Sequence, residues 1–341
     1  MLPETLDAGR IVELAVRQVS IALTFGLACL ALASHPAEAS FPGRNGLLAV
    51  SRFAPGPATT IWLVDPRTGR ARQLTRVPRR CRGAESAWQD SDPAFSASGR
   101  LVVYLHIEFD FPECHPRRPE GIYVIRTDGR GRRRLPASGD AGSPAFAPSG
   151  RLLAFDDGGS IFIRDLERPP PARELRDPRA SLFRQWSAPS WGVSGQLALT
   201  VGATTGARGH IATVRPNGTD LRLVTRSARD QQPDWSPRAD RIVFSRVDRA
   251  DLAFPEVSDV LVAPARAPRH RRPKRLTHTR DAFSPAWSPD GGEIAFVRNS
   301  AIGIRFDPHL AVMSARGARQ RLLPVDEVNW LSRISWQPLP R

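Results

Sequence analysis

The stretch Tyr104–Gly121 places His106, Glu108, Asp110 and His115 within ten positions of one another. Imidazole nitrogens and carboxylate oxygens are ligands for divalent metals, and a metal held there would polarise a substrate or activate a water. Ile107, Phe109 and Phe111 alternate with the polar residues. In a strand, a period of two sends the two sets to opposite faces. A hairpin with one face in solvent gives the same pattern. The stretch is therefore the best candidate binding element, built on His106, Glu108, Phe109, Asp110, Phe111 and His115. No residue is assigned as catalytic: Gly-x-Ser-x-Gly does not occur, and the remaining histidines are scattered. Neither a resident metal nor a cofactor is expected. The enzyme alternative is a metal-assisted lyase or lactonase using His106, Glu108 and Asp110.

The elements that would position these residues start after a distinct leader. Val19–Ser34 is apolar and uncharged, Arg10 and Arg17 precede it, and Ala37-Glu38-Ala39 follows. This is the order of a secretory signal peptide, 1–39, cut after Ala39. The apolar run is shorter than the roughly 20 residues a membrane span needs, so no stable span is expected after cleavage. Beyond residue 39 the cysteines are Cys81 and Cys114. An even count in an exported chain reads as one disulfide. It would be worth roughly 3–4 kcal/mol in the chain-entropy picture. The chain carries a net charge of +15, almost all from arginine. Such an excess suits an anionic partner, and export makes nucleic acid an unsuitable one.

From there to the end, the chain repeats. "SPAWSPDGGEIAFVRN" from Ser284 recurs as "DPAFSASGRLVVYLHI" from Asp92, "SPAFAPSGRLLAFDDG" from Ser143, "APSWGVSGQLALTVGA" from Ala188 and "QPDWSPRADRIVFSRV" from Gln232. The marker aromatics are Phe95, Phe146, Trp191, Trp235, Trp287 and Trp336, at intervals of 44 to 52 residues. Pro-x-aromatic reads as a first strand with Pro at its first residue, where no ladder donor is lost. Ser-Pro-Asp-Gly is a tight turn. A second strand follows, then a third such as "TIWLVD", and a short fourth such as "RQLT". Four antiparallel strands per repeat of this length, arrayed in series, are a β-propeller. Asn45–Phe53 reads as a second strand with no first, and the segment around Trp336 as a first with no second. The fold expected is all-β: a six-bladed β-propeller of four-stranded antiparallel blades over 40–341, closed by the C-terminal strand completing blade one.

At Trp287-Ser288-Pro289-Asp290-Gly291 the chain resembles the TolB-like propeller repeat in full, and at Trp235-Ser236-Pro237 in part. In that family the propeller follows an α/β domain, so the resemblance is to the propeller. It implies a six-bladed fold and leaves activity open.

Propeller topology puts the strand-two-to-three and strand-four-to-next-blade loops on one face. Cys81, Cys114 and the Tyr104–Gly121 stretch belong there. The residues just before each first strand should line the channel mouth: Asp92, Ser143, Ala188, Gln232, Ser284 and Arg333. One carboxylate among six is too few for a hard cation, which wants six to eight oxygens. The arginine-rich segments Arg126–Arg134, Ala265–Arg275 and Ser314–Arg321 fall between third and fourth strands. There they serve edge protection or contact with an anionic envelope polymer. The reading is an exported, periplasmic or extracellular, monomeric scaffold. It would bind an unknown envelope protein through the hairpin and the channel mouth, Asp92 included.

Overall fold

In the computed structural model the described residues are 41–54, 58–78, 88–108, 120–135, 141–168, 171–176, 185–202, 209–248, 257–266, 272–300, 307–329 and 331–340. All belong to the unit Glu38–Arg341. The proposed signal peptide, both cysteines, Phe109, Asp110, Phe111 and His115 lie outside the described residues. Among those described, no helix is long and apolar enough to cross a membrane.

The described residues form twenty-four strands. Group 1 contains β1 (Arg44–Ala54), β2 (Ala58–Val64) and β3 (Ala71–Gln73). Group 2 is β4 (Trp88–Phe95), β5 (Leu101–Glu108), β6 (Gly121–Arg126) and β7 (Arg133–Arg134). Group 3 is β8 (Gly142–Phe146), β9 (Leu152–Asp157), β10 (Ser160–Asp165) and β11 (Arg173–Leu175). Group 4 is β12 (Gln185–Trp191), β13 (Leu197–Gly202), β14 (His210–Val214) and β15 (Arg222–Leu223). Group 5 is β16 (Asp230–Trp235), β17 (Arg241–Val247), β18 (Ser258–Pro264) and β19 (Lys274–Arg275). Group 6 is β20 (Ala282–Trp287), β21 (Glu293–Asn299), β22 (Pro308–Ser314) and β23 (Arg321–Leu322). The final strand, β24 (Ser335–Leu339), pairs antiparallel with β1, with Leu48 opposite Trp336, and so joins group 1. Groups 3 to 6 are separate four-stranded antiparallel sheets, whereas groups 1 and 2 share one sheet through a single parallel pair, Thr59 with Gln89.

The first strands pack in succession: β4 on β8, β8 on β12, β12 on β16, β16 on β20, β20 on β24 and β24 on β4. The apolar core divides the same way, into one cluster per neighbouring pair of groups. Phe95 packs among group 1 residues, Phe146 among group 2 and Trp191 among group 3. Trp235, Trp287 and Trp336 repeat this against groups 4, 5 and 6. Each repeat thus buries its marker aromatic against the repeat before it, the large apolar area that an aromatic supplies.

One local feature departs from the sequence reading. The repeated Pro is not the first residue of its strand. It sits inside the strand at a β-bulge, where register shifts between Ser91 and Ala94 and at the matching places in β8, β12, β16 and β20. The residue before Pro carries the bulge: Asp92, Ser143, Ala188, Gln232 and Ser284 all have φ between 43° and 52°. A bulge leaves one residue out of the ladder, so the missing Pro donor costs nothing there. Backbone N–H groups freed by the bulge need other partners, and those partners make the site.

Candidate functional site

The first strands enclose a cavity of about 80 Å³ lined by Ser190, Asp234, Arg333, Ser335 and the alanines at matching positions, with Phe41 also on its wall. Arg333 dominates it. Its guanidinium donates to the carbonyls of Pro189 (2.5 Å) in group 4 and Pro233 (3.3 Å) in group 5, so one side chain spans from group 1 to the far groups. Its backbone N–H donates to Asp92 Oδ1 at 2.9 Å. Nearby, Gln232 Nε2 donates to the carbonyl of Leu331 at 3.1 Å, and the Asp92 N–H donates to Ser332 Oγ at 2.8 Å. Residues 331–333 therefore reach the first strands of groups 2, 4 and 5, with Leu331 61% exposed.

Three carboxylates surround Arg333. Asp92 accepts from the N–H groups of Arg333 and Ser143. Asp156, on β9, accepts from the N–H of Ala188 at 2.8 Å. Asp234 accepts from the N–H of Trp287 (2.8 Å) and from Ser190 Oγ (2.9 Å). Burial pushes all three carboxyls above the ordinary carboxylate range, and Asp234 up to about 6, because removal from water disfavours the charged form. The donated N–H groups and the Arg333 charge oppose that rise, while Asp92 and Asp156 repel each other. The sequence reading counted one carboxylate at the mouth and missed two. Asp156 lies on the second strand, and Asp234 two residues past the bulge. Their signal was available, because both are acids at repeat positions that otherwise hold Ser, Thr, Ala or an apolar residue. Each carboxylate already accepts a backbone N–H and the guanidinium lies among them, so among the described residues they are not arranged as a metal cage.

His106 and Glu108 are placed differently from expectation. The period of two holds, but the polar set is the buried one: His106 is 0% and Glu108 3% exposed, while Ile107 is only partly buried. His106 Nδ1 meets Asp90 Oδ1 at 2.7 Å, Trp88 Nε1 donates to Asp90 Oδ2 at 3.2 Å, and Glu108 Oε2 lies 3.8 Å from His106 Nε2. The Arg132 guanidinium covers this group from β7's side, 5.3 Å from the Trp88 ring, 5.6 Å from Tyr104 and 4.9 Å from Tyr123. Ser51 and Thr59 hydroxyls donate to the Asp90 carbonyl. The cluster is thus a polar junction between groups 1 and 2. Asp230 and Arg246 make the matching contact in group 5, at 2.5 and 2.9 Å. Asp92 and the pair His106–Glu108 belong to different places, the first beside Arg333 and the second in the seam between groups 1 and 2. Among the described residues, no three His, Cys, Asp or Glu are spaced to hold a metal ion.

No protein-family model and no curated protein matches the chain. Solved structures do. TolB from Acinetobacter baumannii superposes with a TM-score of 0.63 at 16% identity, covering 88% of this chain and 69% of that one. A putative TolB from Agrobacterium tumefaciens superposes with a TM-score of 0.57 at 13% identity, covering 86% of this chain and 100% of that one. The fold is that of a TolB-like β-propeller. In this TolB-like frame the Trp-Ser-Pro-Asp-Gly turn that identifies the repeat begins on the cavity wall, where Trp287, Ser288 and Pro289 line the same space as Arg333. Ser288 Oγ donates to Asp290 Oδ1 at 2.7 Å, and Gly291 at φ 74° closes the turn in a conformation that suits glycine. The identifying residues build the TolB-like scaffold, and the ring around Arg333 is set by residues that vary from repeat to repeat.

Proposed function

We propose that this chain is an exported, non-enzymatic propeller scaffold of six blades, closed by β24 on β1, that binds a protein partner in the cell envelope. On this reading residues 1–39 are removed as a signal peptide and the mature protein is periplasmic or extracellular. The sequence of first-strand contacts, ending with β24 on β4, supports closure.

One observation carries the scaffold reading. The axial cavity, where a propeller enzyme would hold its substrate, measures about 80 Å³ and is crossed by Arg333. Small-molecule sites run to roughly 300–1,000 Å³. What the crossing segment offers outward is an apolar residue, Leu331, and Phe53 (38% exposed) belongs to the strand bound to the same loop through Glu327. Exposed apolar residues beside a polar rim suit the centre of a protein contact. The test is cross-linking to envelope partners with Leu331→Asp and Phe53→Asp. Loss of the cross-linked species with an unchanged melting profile is expected. Undiminished cross-linking in both variants would reject this face. Stoichiometric metal in the purified protein would revive the enzyme reading.

A further inference from the structure

The outer strands carry a second repeat. Arg72, Arg133, Arg173, Arg222, Lys274 and Arg321 occupy one position, two residues before a leucine, or the valine in group 4, at or just past the end of each fourth strand. In four groups this cation reaches the next group. Arg72 donates to the Thr127 carbonyl and Arg173 to the Pro216 carbonyl. Lys274 donates to Arg316 O at 3.3 Å and Arg321 to Pro66 O at 2.6 Å. Each acceptor lies in the turn between the neighbour's third and fourth strands.

Among the described residues neither Arg133 of group 2 nor Arg222 of group 4 makes this bond, and group 4 shows where its cation goes instead. Arg222 turns back onto its own group, where its Nε donates to Asp220 Oδ1 at 2.6 Å. Arg215 Nε lies 3.7 Å from Asp220 Oδ2, and Gln196 Nε2 donates to the same oxygen at 3.4 Å. The matching turn of group 5, Ala265 and Arg266, is left unclasped by Arg222. A cleft of about 190 Å³ opens at this seam, lined by Gln196, Thr213, Arg215, Asp220, Arg222 and Arg266. That is space for about six waters. Three guanidinium groups face one carboxylate, a net charge of +2 on the lining. Arg215 and Arg222 are 61% and 69% exposed, so a ligand reaches them from solvent.

We propose that this cleft between groups 4 and 5 is a binding site for a phosphate group, carried either by a small phosphate or by an anionic phosphate polymer. Guanidinium forks match the paired oxygens of phosphate and are less strongly hydrated than ammonium. Asp220 holds Arg222 and Arg215 in place before the ligand arrives. Gln196 and Thr213 offer uncharged hydrogen-bonding groups at the inner wall. The site lies at the outer strands, apart from Leu331 and the axial ring.

The experiment is titration calorimetry of the purified full chain at low ionic strength, with inorganic phosphate in one arm and long-chain polyphosphate in the other. The cleft double variant Arg222→Gln/Arg266→Gln is set against Arg130→Gln/Arg133→Gln, which removes the same charge from the exposed edge of group 2. We expect the cleft variant to lose about tenfold in affinity, the scale of one charged hydrogen bond, and the matched variant less than twofold. Tighter binding of the polymer, lost by the same factor, assigns a polymer as the source. Equal affinity per phosphate group in the two arms assigns a small phosphate. Equal losses in both variants, or no binding of either probe, would overturn the site.

Discussion

The inner and outer halves of the same seams are tied by opposite chemistry. Near the axis, side-chain oxygens accept from backbone N–H groups of the neighbouring group. Ser335 accepts from Phe95, Asp156 from Ala188, Ser190 from Trp235, and Asp234 from Trp287. At the rim, cationic side chains donate to backbone carbonyls of the neighbour's turn. The difference follows from what each backbone leaves unpaired. The inner strands free N–H groups, at the bulge for Ala188 and along the strand edge for Phe95, Trp235 and Trp287, and turns at the outer strands free carbonyls. The inner ties are buried or partly buried and the outer ones mostly exposed, so their energies should differ. That contrast can be broken in a graded series.

The largest effect belongs to the packing both halves surround. Trp235→Ala removes the marker aromatic from the cluster between groups 4 and 5, where it is 2% exposed. A loss of about 3–5 kcal/mol in denaturant unfolding is expected. A loss below 1 kcal/mol would mean the aromatics are not what joins successive repeats.

Next comes Arg333→Met. It leaves Asp92, Asp156 and Asp234 without their shared counter-charge. It also removes the guanidinium bonds to the Pro189 and Pro233 carbonyls, and since bonds from a charged donor are worth about 1.5–3 kcal/mol a loss of about 2 kcal/mol is expected. The sign with pH is specific. The three carboxyls titrate higher when folded than when unfolded, so the native state holds their protons more tightly. Their contribution is most favourable below the unfolded value of 3.8, and for Asp234 it is lost as pH rises through about 6. The Arg333→Met deficit should therefore grow between pH 4 and pH 7. Asp234→Asn should flatten the wild-type decline over the same window, a change on the order of 2 kcal/mol. Chemical denaturation at several pH values reads both. A deficit independent of pH would show that Arg333 acts by packing alone.

How much of this was legible in the sequence depends on whether the signal repeats. The marker aromatics, the third strands such as Ser160–Asp165 and the turn glycines recur at fixed offsets, and the sheets follow them. The bulge was hidden, because Pro at a strand's first residue and Pro at an internal bulge look alike without φ. The burial of His106 was hidden for another reason. A polar face buries itself only when a neighbour brings matching groups, and Arg132 and Ser51 are distant in sequence. Arg333 stood at the expected ring position, but nothing in Arg-Ile-Ser-Trp says that its side chain reaches Pro189.

A smaller effect tests one irregular repeat. Gly99, Gly150, Gly195 and Gly291 close their turns at φ between 65° and 74°, and group 5 uses Ala239 there at φ 52°. An L-residue in that region costs roughly 1–2 kcal/mol. Ala239→Gly should stabilise by about 1 kcal/mol, the strain relief exceeding the added freedom of the unfolded chain. A destabilised variant would mean that the Ala239 methyl, which packs against the cluster of Trp235, outweighs the strain.

The smallest effects separate the clasped rim from the open one. Arg173→Gln removes an exposed clasp and Arg321→Gln a partly buried one, and each should cost about 0.5–1 kcal/mol, the net value of a hydrogen bond near a surface. Arg222→Gln removes a cation from the same repeat position without breaking a tie between groups. Its bond to Asp220 is internal to group 4, so stability should stay within about 0.5 kcal/mol of wild type. Equal losses at all three positions would mean that the rim arginines stabilise by general charge and not by bridging. A loss confined to Arg173 and Arg321 leaves Arg222 as a rim cation that stability does not require, and therefore as one free to serve a ligand.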